Sequence, residues 1–349
     1  MAKRPHIALV EIGGSHDECL MTQILALKDA GAEISLVCNE SIWVRNHEIQ
    51  KLVDHHYTVN MQGGSWSKFM AVRYFAGCLR KSNVDKVVFN TAQGGHIRNA
   101  VFFSLFSRME FIGIIHTIRK FQGSFTQRII NWKIKRYLLL SEHLLKESNP
   151  KSKLDVDYFY PIDFPIHIRT EEKKLIVIIG GVEERRKDLN GFMKMTEHLK
   201  DDYHFVFLGK TDLSNPDLKT FTSQVCSRAN VRYYDHFVSE EEFGRVLSNA
   251  HAILPLVHPG TESAGEYFKN QISGAMTVAF GYKLPILLHE EYGHIEEMKK
   301  GSVTYTLEGF EAGLEKLEVN YETMKKYMDQ SDRYDPKAQQ ERYRKFVLG

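Results

Sequence analysis

The 349-residue chain has no apolar run near the roughly 18 residues that a membrane-spanning helix needs, so no such helix is expected. Its start, MAKRPHIALVEIGG, goes from two basic residues straight into a strand-like segment. It lacks the small-residue cleavage pattern of a secretory leader, and the expected compartment is the cytoplasm. Cysteines are few. Cys19, Cys38, Cys78 and Cys226 are scattered, with no CxxC pair and no metal-ligand spacing. That argues against a disulfide framework or a zinc ribbon and suits reduced core thiols. GxxxxGK[ST] is absent, which excludes a Walker loop, and so is GxGxxG with a following acidic residue, which makes a dehydrogenase the least expected class. The Asp-x-Asp at Asp155-Val-Asp157 falls in a stretch that reads as a linker, so no metal site is expected there; no cofactor is expected either.

Charge of one sign is also lacking, with a net value of only +2. The balance is nonetheless uneven. Residues 1–168 carry 21 Lys+Arg against 15 Asp+Glu, and the remainder 25 against 29. A mildly basic first half suits an anionic surface, but the bias is too weak for nucleic acid.

What is present is an ordinary globular composition, 43% hydrophobic and 26% charged, in a chain too long for a single core. Strand and helix signals alternate through both halves. His6–Ile12 is an apolar run ending in Gly13-Gly14, and Ser15 with Glu18 predicts a capping box for a helix reaching Gly31. Strands follow at Glu33–Cys38, Lys86–Asn90, Phe111–His116 and Tyr137–Leu140, with a helix from His96 to Ser107. Pro150, Pro161 and Pro165 break the rhythm, and Pro150–Thr170 reads as a link between domains. The pattern then restarts. Strands are expected at Leu175–Ile179, Phe205–Leu208, Val231–Tyr234, Ala252–Leu254 and Pro285–Leu288, with helices from Asp188 and from the capping box Ser239-x-x-Glu242. The fold class expected is α/β, two Rossmann-like βαβ domains facing across a cleft, with ligands at the carboxyl ends of the strands. The expected boundaries are 1–165 for the first domain, 166–319 for the second, and 320–349 for a final helix crossing back to the first.

Chemistry-bearing residues cluster after the strands. Gly180-Gly181 permits a tight turn, and Arg185, Arg186 and Lys187 then precede a helix at the mouth of the second sheet. Arg can clamp two phosphate oxygens and Lys acts as a point charge, so this place suits a diphosphate. The alternative is a solvated turn neutralised by Glu183 and Glu184. In KNQISGAMTVAFGYKLPILL, Lys269–Leu288, Ser273 and Gly274 open a helix whose first amides lack internal partners.

The order of these segments resembles the C-terminal domain of GT-B glycosyltransferases, especially glycosyltransferase family 4. Ile178–Leu189 stands where that family has strand–GR–x–KG, Ser239–Pro255 where it has a strand ending near VxxxP, and Ser263–Leu288 where it has the helix leading to GxPV[IV]. The resemblance implies that Arg185 or Arg186, with Lys187, holds a donor diphosphate, and that Ser273 and Gly274 present amides to it. The family's E-x7-E pair is incomplete, since its second Glu falls near Val278. SGA at the helix start is similar to a variant in bacterial polysaccharide-assembly transferases, with polar work shifted to the preceding loop. Glu262 or Glu266 is then the candidate for the donor sugar or ribose, unless one merely caps the helix or pairs with Lys269.

In the first half, Gly13, Gly14, His16, Asp17 and Glu18 lie after the first strand, where the resemblance implies donor or acceptor contact. Asp17 or Glu18 is a candidate general base if the reaction inverts, though both also suit a helix start. His116 matches a family histidine near the donor sugar, and His96 is a candidate on the acceptor side. RKFQGSFTQRIINWKIKR, Arg119–Arg136, reads either as a basic amphipathic helix for an anionic membrane or as a surface helix packed on the core.

The function expected is transfer of a sugar from a nucleotide-diphosphate donor to a glycan or lipid-linked acceptor, retaining and metal-independent if family 4 is followed. The alternatives are a non-hydrolysing nucleotide-sugar epimerase, which needs several carboxylates around the sugar, and a degenerate partner subunit, motivated by Val278.

Overall fold

The computed structural model describes residues 4–150, 153–170, 173–199, 202–225, 228 and 230–349, so Cys226 lies outside the described residues. The chain divides into two units, Met1–Pro161 with Pro336–Gly349, and Ile162–Asp335.

The first unit holds β1 (His6–Glu11), β2 (Glu33–Cys38), β3 (His55–Thr58), β4 (Lys86–Phe89), β5 (Glu110–Ile115), β6 (Ile134–Leu139) and β7 (Asp155–Tyr158). They form one sheet in the order β3-β2-β1-β4-β5-β6-β7, every pair parallel. Every residue of β1 is buried, as expected of a strand covered on both faces. Close packing is strict at Gly113 in β5. A Cβ there would stand 2.5 Å from Ala92 Cβ and 2.7 Å from the Tyr137 ring.

The second unit holds β8 (Lys174–Ile179), β9 (Tyr203–Lys210), β10 (Val231–Tyr234), β11 (Ala252–Ile253), β12 (Ile286–His289) and β13 (Ser302–Tyr305), all parallel in the order β10-β9-β8-β11-β12-β13. Its core stacks Phe192, Phe205, Phe207 and Phe221 edge to face. The helix Gly274–Gly281 is buried from Ala275 onward, as its unbroken run of small and apolar residues requires.

Four expectations change. Pro150–Thr170 is not all linker, because Asp155–Tyr158 pairs with β6 as a seventh strand. The boundary falls at Pro161 rather than 165, since Phe164 stacks on Tyr282 and abuts Gly281 of the second unit. The last segment divides differently from 320–349. Phe310–Gln330 is one helix of the second unit, and only Pro336–Leu348 packs in the first, where Tyr343 donates to Gln23 Oε1 at 3.1 Å. Arg119–Arg136 is not one helix. It runs through a 3-10 turn, a left-handed Gly123 (φ 93°), the nine-residue helix Phe125–Lys133 and then β6, where Arg136 pairs with Glu110 and Asp155.

Candidate functional site

Both sheets reverse their strand order at one place, between β1 and β4 in the first unit and between β8 and β11 in the second. Strand carboxyl ends at such a reversal leave a crevice in which ligands of open parallel sheets bind. The sequence-derived candidates divide between these two places.

In the first unit, β1 ends on Glu11, which is 1% exposed. Its carboxylate accepts from Gly13 N at 2.7 Å, Thr91 Oγ1 at 2.6 Å and Asn90 Nδ2 at 3.1 Å. Asn90 and Thr91 directly follow β4, so the side chain clasps the two strands where the order reverses. A Cβ on Gly13 would stand 2.8 Å from Glu11 Oε1, which explains glycine there, whereas Gly14 faces open space. Asn90 is itself held, by Gln23 Nε2 at 2.6 Å and by donating to His16 O at 2.6 Å. Burial pushes the Glu11 pKa up, against those hydrogen bonds and the nearby His16.

The His16 and His116 rings stack with centroids 3.7 Å apart. His116 Nε2 donates to Asn90 O at 2.8 Å, and burial, then His16, pushes its pKa down to about 4. His16 moves the other way. Burial opposes its charge, but the 3.2 Å contact with Glu18 and the charges of Glu18, Glu11 and Asp17 outweigh it and raise the pKa. The two stacked rings are therefore shifted in opposite directions, His16 upward and His116 downward. The expected Ser15 capping box does not form. His16 takes a left-handed φ of 70° before a short 3-10 turn, Asp17–Cys19, and Glu18 bonds the His16 ring instead of reaching back.

Asp17 is clamped by Arg45 (2.5 and 2.8 Å) and Asn46 (2.9 Å). Burial raises its pKa, the two partners outweigh that, and the net shift is downward, which suits an anchor for the loop better than a proton acceptor. His96 is exposed in the first turn of the helix Gly94–Phe103, after β4, with its pKa lowered by burial, Lys68 and Arg98. Gln93 Oε1 and Thr117 Oγ1, just beyond β4 and β5, are buried without a hydrogen-bond partner. Glu11, Asn90 and Thr91 were absent from the sequence-derived candidates. A glutamate directly after the apolar run IALV and before Ile12 was the available signal, since burial of a charge demands a reason.

In the second unit, β8 runs into Gly180 (φ 92°). Gly209 of β9 lies so close that a Cβ on it would be 2.3 Å from Gly180 O, while Gly181 shows only ordinary contacts. The turn beyond presents Arg185 and Arg186, both about half exposed and both facing Glu183 at 3.5 and 3.4 Å. Lys187 turns the other way. It is 5% exposed, its Nζ donates to Ile179 O at 2.6 Å, and burial, then Arg186, pushes its pKa down to about 8. Direct phosphate contact by Lys187 would require Nζ to leave that carbonyl.

The loop after β11 is tied to the same turn. Asp188 N donates to Leu256 O (3.0 Å), and Ser263 N to Arg185 O (3.1 Å). Leu256 is held left-handed at φ 58° in making this approach. Beneath them runs a buried relay that the sequence did not suggest. Asp188 Oδ2 meets His258 Nδ1 at 2.9 Å, and His258 Nε2 meets the Tyr305 hydroxyl at 2.7 Å. Asp188 also caps the helix Leu189–Met195 by accepting from Gly191 N, and the His258 bond holds its pKa down. The structure thus brings Arg185 and Arg186 together with the loop carrying exposed Glu262. Glu266 lies in the short helix Ala264–Lys269, accepting from Asn270 Nδ2 at 3.4 Å, with Lys269 exposed at the helix end. Ser273 caps the helix Gly274–Gly281, accepting from Ala275 N at 3.4 Å, and Gly274 is exposed. This helix leads from β11 to β12 in a parallel sheet, so its amino end lies on the same edge as the arginine turn. Val278 is 6% exposed and buried in that helix, so the position offers no ligand contact.

No protein-family model matches the chain. A stretch of 100 residues is 28% identical to a dTTP/UTP pyrophosphatase from Dictyoglomus turgidum, covering 29% of this chain and only half the length of that protein. Similar solved structures span nearly the whole chain. A UDP-N-acetylglucosamine 2-epimerase superposes with a TM-score of 0.65 at 11% identity, covering 98% of this chain and 95% of that one. HepE from Anabaena, in complex with UDP and glucose, gives 0.65 at 11%, covering 98% and 99%. A glycosyltransferase from Rickettsia africae gives 0.59 at 12%, covering 99% and 94%. Identities this low establish the architecture, two Rossmann-like domains of the GT-B kind. Its bearers among these structures include both glycosyltransferases and nucleotide-sugar epimerases.

Proposed function

We propose that the chain is a nucleotide-sugar-dependent glycosyltransferase of the family 4 type, with the donor diphosphate on the second unit and a glycan or lipid-linked acceptor on the first. The observation that carries this reading is the exposed Arg185–Arg186 turn, hydrogen-bonded to the 258–263 loop at the strand-order reversal. When the bond between the anomeric carbon and the diphosphate breaks, negative charge gathers on the leaving phosphate. Two guanidinium groups and the amides at Gly274 meet it there, with Lys187 adding positive potential from beneath. These cations take the part a metal ion plays elsewhere. In this reading Glu262 or Glu266 contacts the donor sugar or ribose, His116 is assigned to the sugar during transfer, and His16 and His96 are assigned to the acceptor. The configuration at the anomeric carbon is retained, as in family 4. Phe125, Arg128 and Trp132, all exposed and spaced along one helix face, support peripheral contact with an anionic membrane, and the cytoplasm remains the compartment of choice.

The test is calorimetry with nucleoside diphosphates beside a transfer assay with a panel of nucleotide sugars. Charge-assisted hydrogen bonds contribute about 1.5–3 kcal/mol each, so Arg185→Ala with Arg186→Ala should weaken diphosphate binding by roughly 100-fold or more. Unchanged binding and transfer in that double variant would sink the reading.

One observation favours a second reading. Glu11, Glu18 and the two stacked imidazoles make a proton-handling group of the sort an epimerase needs. Incubation with UDP-N-acetylglucosamine and no acceptor separates the two, since only an epimerase interconverts the donor alone. Failure to bind any nucleotide would favour the degenerate partner subunit.

A further inference from the structure

We propose that His6, Glu33 and His55 form a binding site for a divalent transition-metal ion, zinc fitting best, at the amino-terminal edge of the first sheet. It lies at the end of the strands opposite Glu11 and independent of the catalytic reading. His6 is the register partner of Glu33 across β1 and β2, and Ser35 is the partner of His55 across β2 and β3. In-register neighbours in a sheet project to one face, and so do residues two apart in a strand. His6, Glu33, Ser35 and His55 therefore share a face. Their candidate ligand atoms, one each from His6, Glu33 and His55, all lie within 4.8 Å of one another.

The buried histidine is already oriented for ligation. His6 Nδ1 lies 3.0 Å from Ser82 O, which only accepts, so Nδ1 carries the proton. Nε2 is then the ring's lone pair, and it currently accepts from Ser35 Oγ at 2.9 Å. Donation of the non-ligating ring N–H to a backbone carbonyl is how metal-bound histidines are commonly held. Ser82 is fixed in turn, donating to Cys78 O at 3.0 Å and bonding the Tyr57 hydroxyl at 2.7 Å. His55 Nε2 and Glu33 Oε1 already meet at 2.8 Å. Nearby cations are drawn away, since Asp54 holds Lys28 at 2.8 Å and Arg4 at 3.6 Å.

Two imidazoles, one carboxylate and a water make a tetrahedral set for zinc, whose bonds of about 2.0–2.2 Å place ligand atoms roughly 3.3–3.5 Å apart. Rotation of the Glu33 and His55 side chains, both partly exposed, closes the set around the fixed His6. Ligation would tie the start of β3, an edge strand paired only with β2, to β1 and β2.

The experiment uses the full chain stripped with a chelator and titrated with zinc chloride by calorimetry, beside thermal unfolding followed by tryptophan fluorescence. Cobalt(II) substitution adds the visible absorption of a four-coordinate ion. Expected are uptake of zinc, a rise in the unfolding midpoint, and visible bands with cobalt. His55→Ala and Glu33→Gln, both at partly exposed positions, should each keep the native circular dichroism and weaken zinc binding by about tenfold or more. His47→Ala, an exposed histidine in the adjacent helix His47–Leu52, should bind as the parent does. No uptake by the parent chain, or uptake and cobalt bands equally strong in His55→Ala and Glu33→Gln, would overturn the proposal.

Discussion

Acid should destabilise the first unit through His116, and removing that ring should abolish the effect. In the folded chain His116 has a pKa of about 4, because burial opposes its charge and His16 repels it. An unfolded histidine titrates near 6.5, so the unfolded chain takes up the proton first as pH falls. Stability at pH 7 is untouched by this group. It is lost as pH drops below 6.5 and levels off below about 4. The gap between the two values is worth roughly 3 kcal/mol in full, most of which is lost by pH 4.5. His16, with a raised pKa, contributes in the opposite sense, with stability present at low pH and lost as pH rises through its folded value. The comparison must therefore be between the parent chain and His116→Asn at each pH. The three tryptophans, Trp43, Trp66 and Trp132, all lie in the first unit, so urea unfolding followed by their fluorescence reports that unit alone. The parent should be the more stable at pH 7. Between pH 7 and 4.5 the difference should shift by roughly 2–3 kcal/mol toward the variant. A stability difference that stays constant over that range would falsify the account of His116 as a histidine kept neutral by its surroundings.

Three further outcomes follow from the same packing. Glu11→Gln swaps an acceptor for an amide donor among three donors, and should cost about 1–3 kcal/mol in the same fluorescence assay at pH 7; a neutral result would mean that Gly13, Thr91 and Asn90 find other partners. Gly209→Ala should destabilise the second unit by at least about 1–3 kcal/mol, since its Cβ would meet the Gly180 backbone at 2.3 Å, and calorimetric unfolding with no lowered midpoint would refute that contact. His258→Leu should leave Tyr305 Oη and Asp188 without their partner and weaken both the unit and nucleoside diphosphate binding, whereas Tyr305→Phe should spare binding; equal losses in calorimetric titrations of the two would refute the order of the relay.

Much of the fold was legible because its central strands are buried on both faces. Runs such as IALV, ISLV, KVVF and LIVII need no tertiary information to be read. The three strands that escaped, His55–Thr58, Asp155–Tyr158 and Ser302–Tyr305, are all at sheet edges. Each is four residues long, and the first two have no buried residue. Polar side chains facing water leave no periodic signal. Arg119–Arg136 misled for the opposite reason. Its basic and apolar residues alternate as a helix would, and only Gly123 and the pairing of Arg136 with Asp155 break it.

The sequence by itself determined the alternation of strands and helices, the glycine at the end of β8, the basic turn after it and the caps at Asp188, Ser239 and Ser273, since these are local matters of burial, backbone freedom and hydrogen bonding within a few residues. Only the tertiary structure decided which side chains act together. Glu11 meets Thr91 and Asn90, His16 lies on His116, and Asp188 reaches Tyr305 through His258, each across strands far apart in the chain. It also turned Lys187 inward onto Ile179 O and left Arg185 and Arg186 outward, a distinction invisible in the string RRK. Proton affinity and exposure are set by neighbours in space, so these side chains became distinguishable from one another only when the strand order brought those neighbours in.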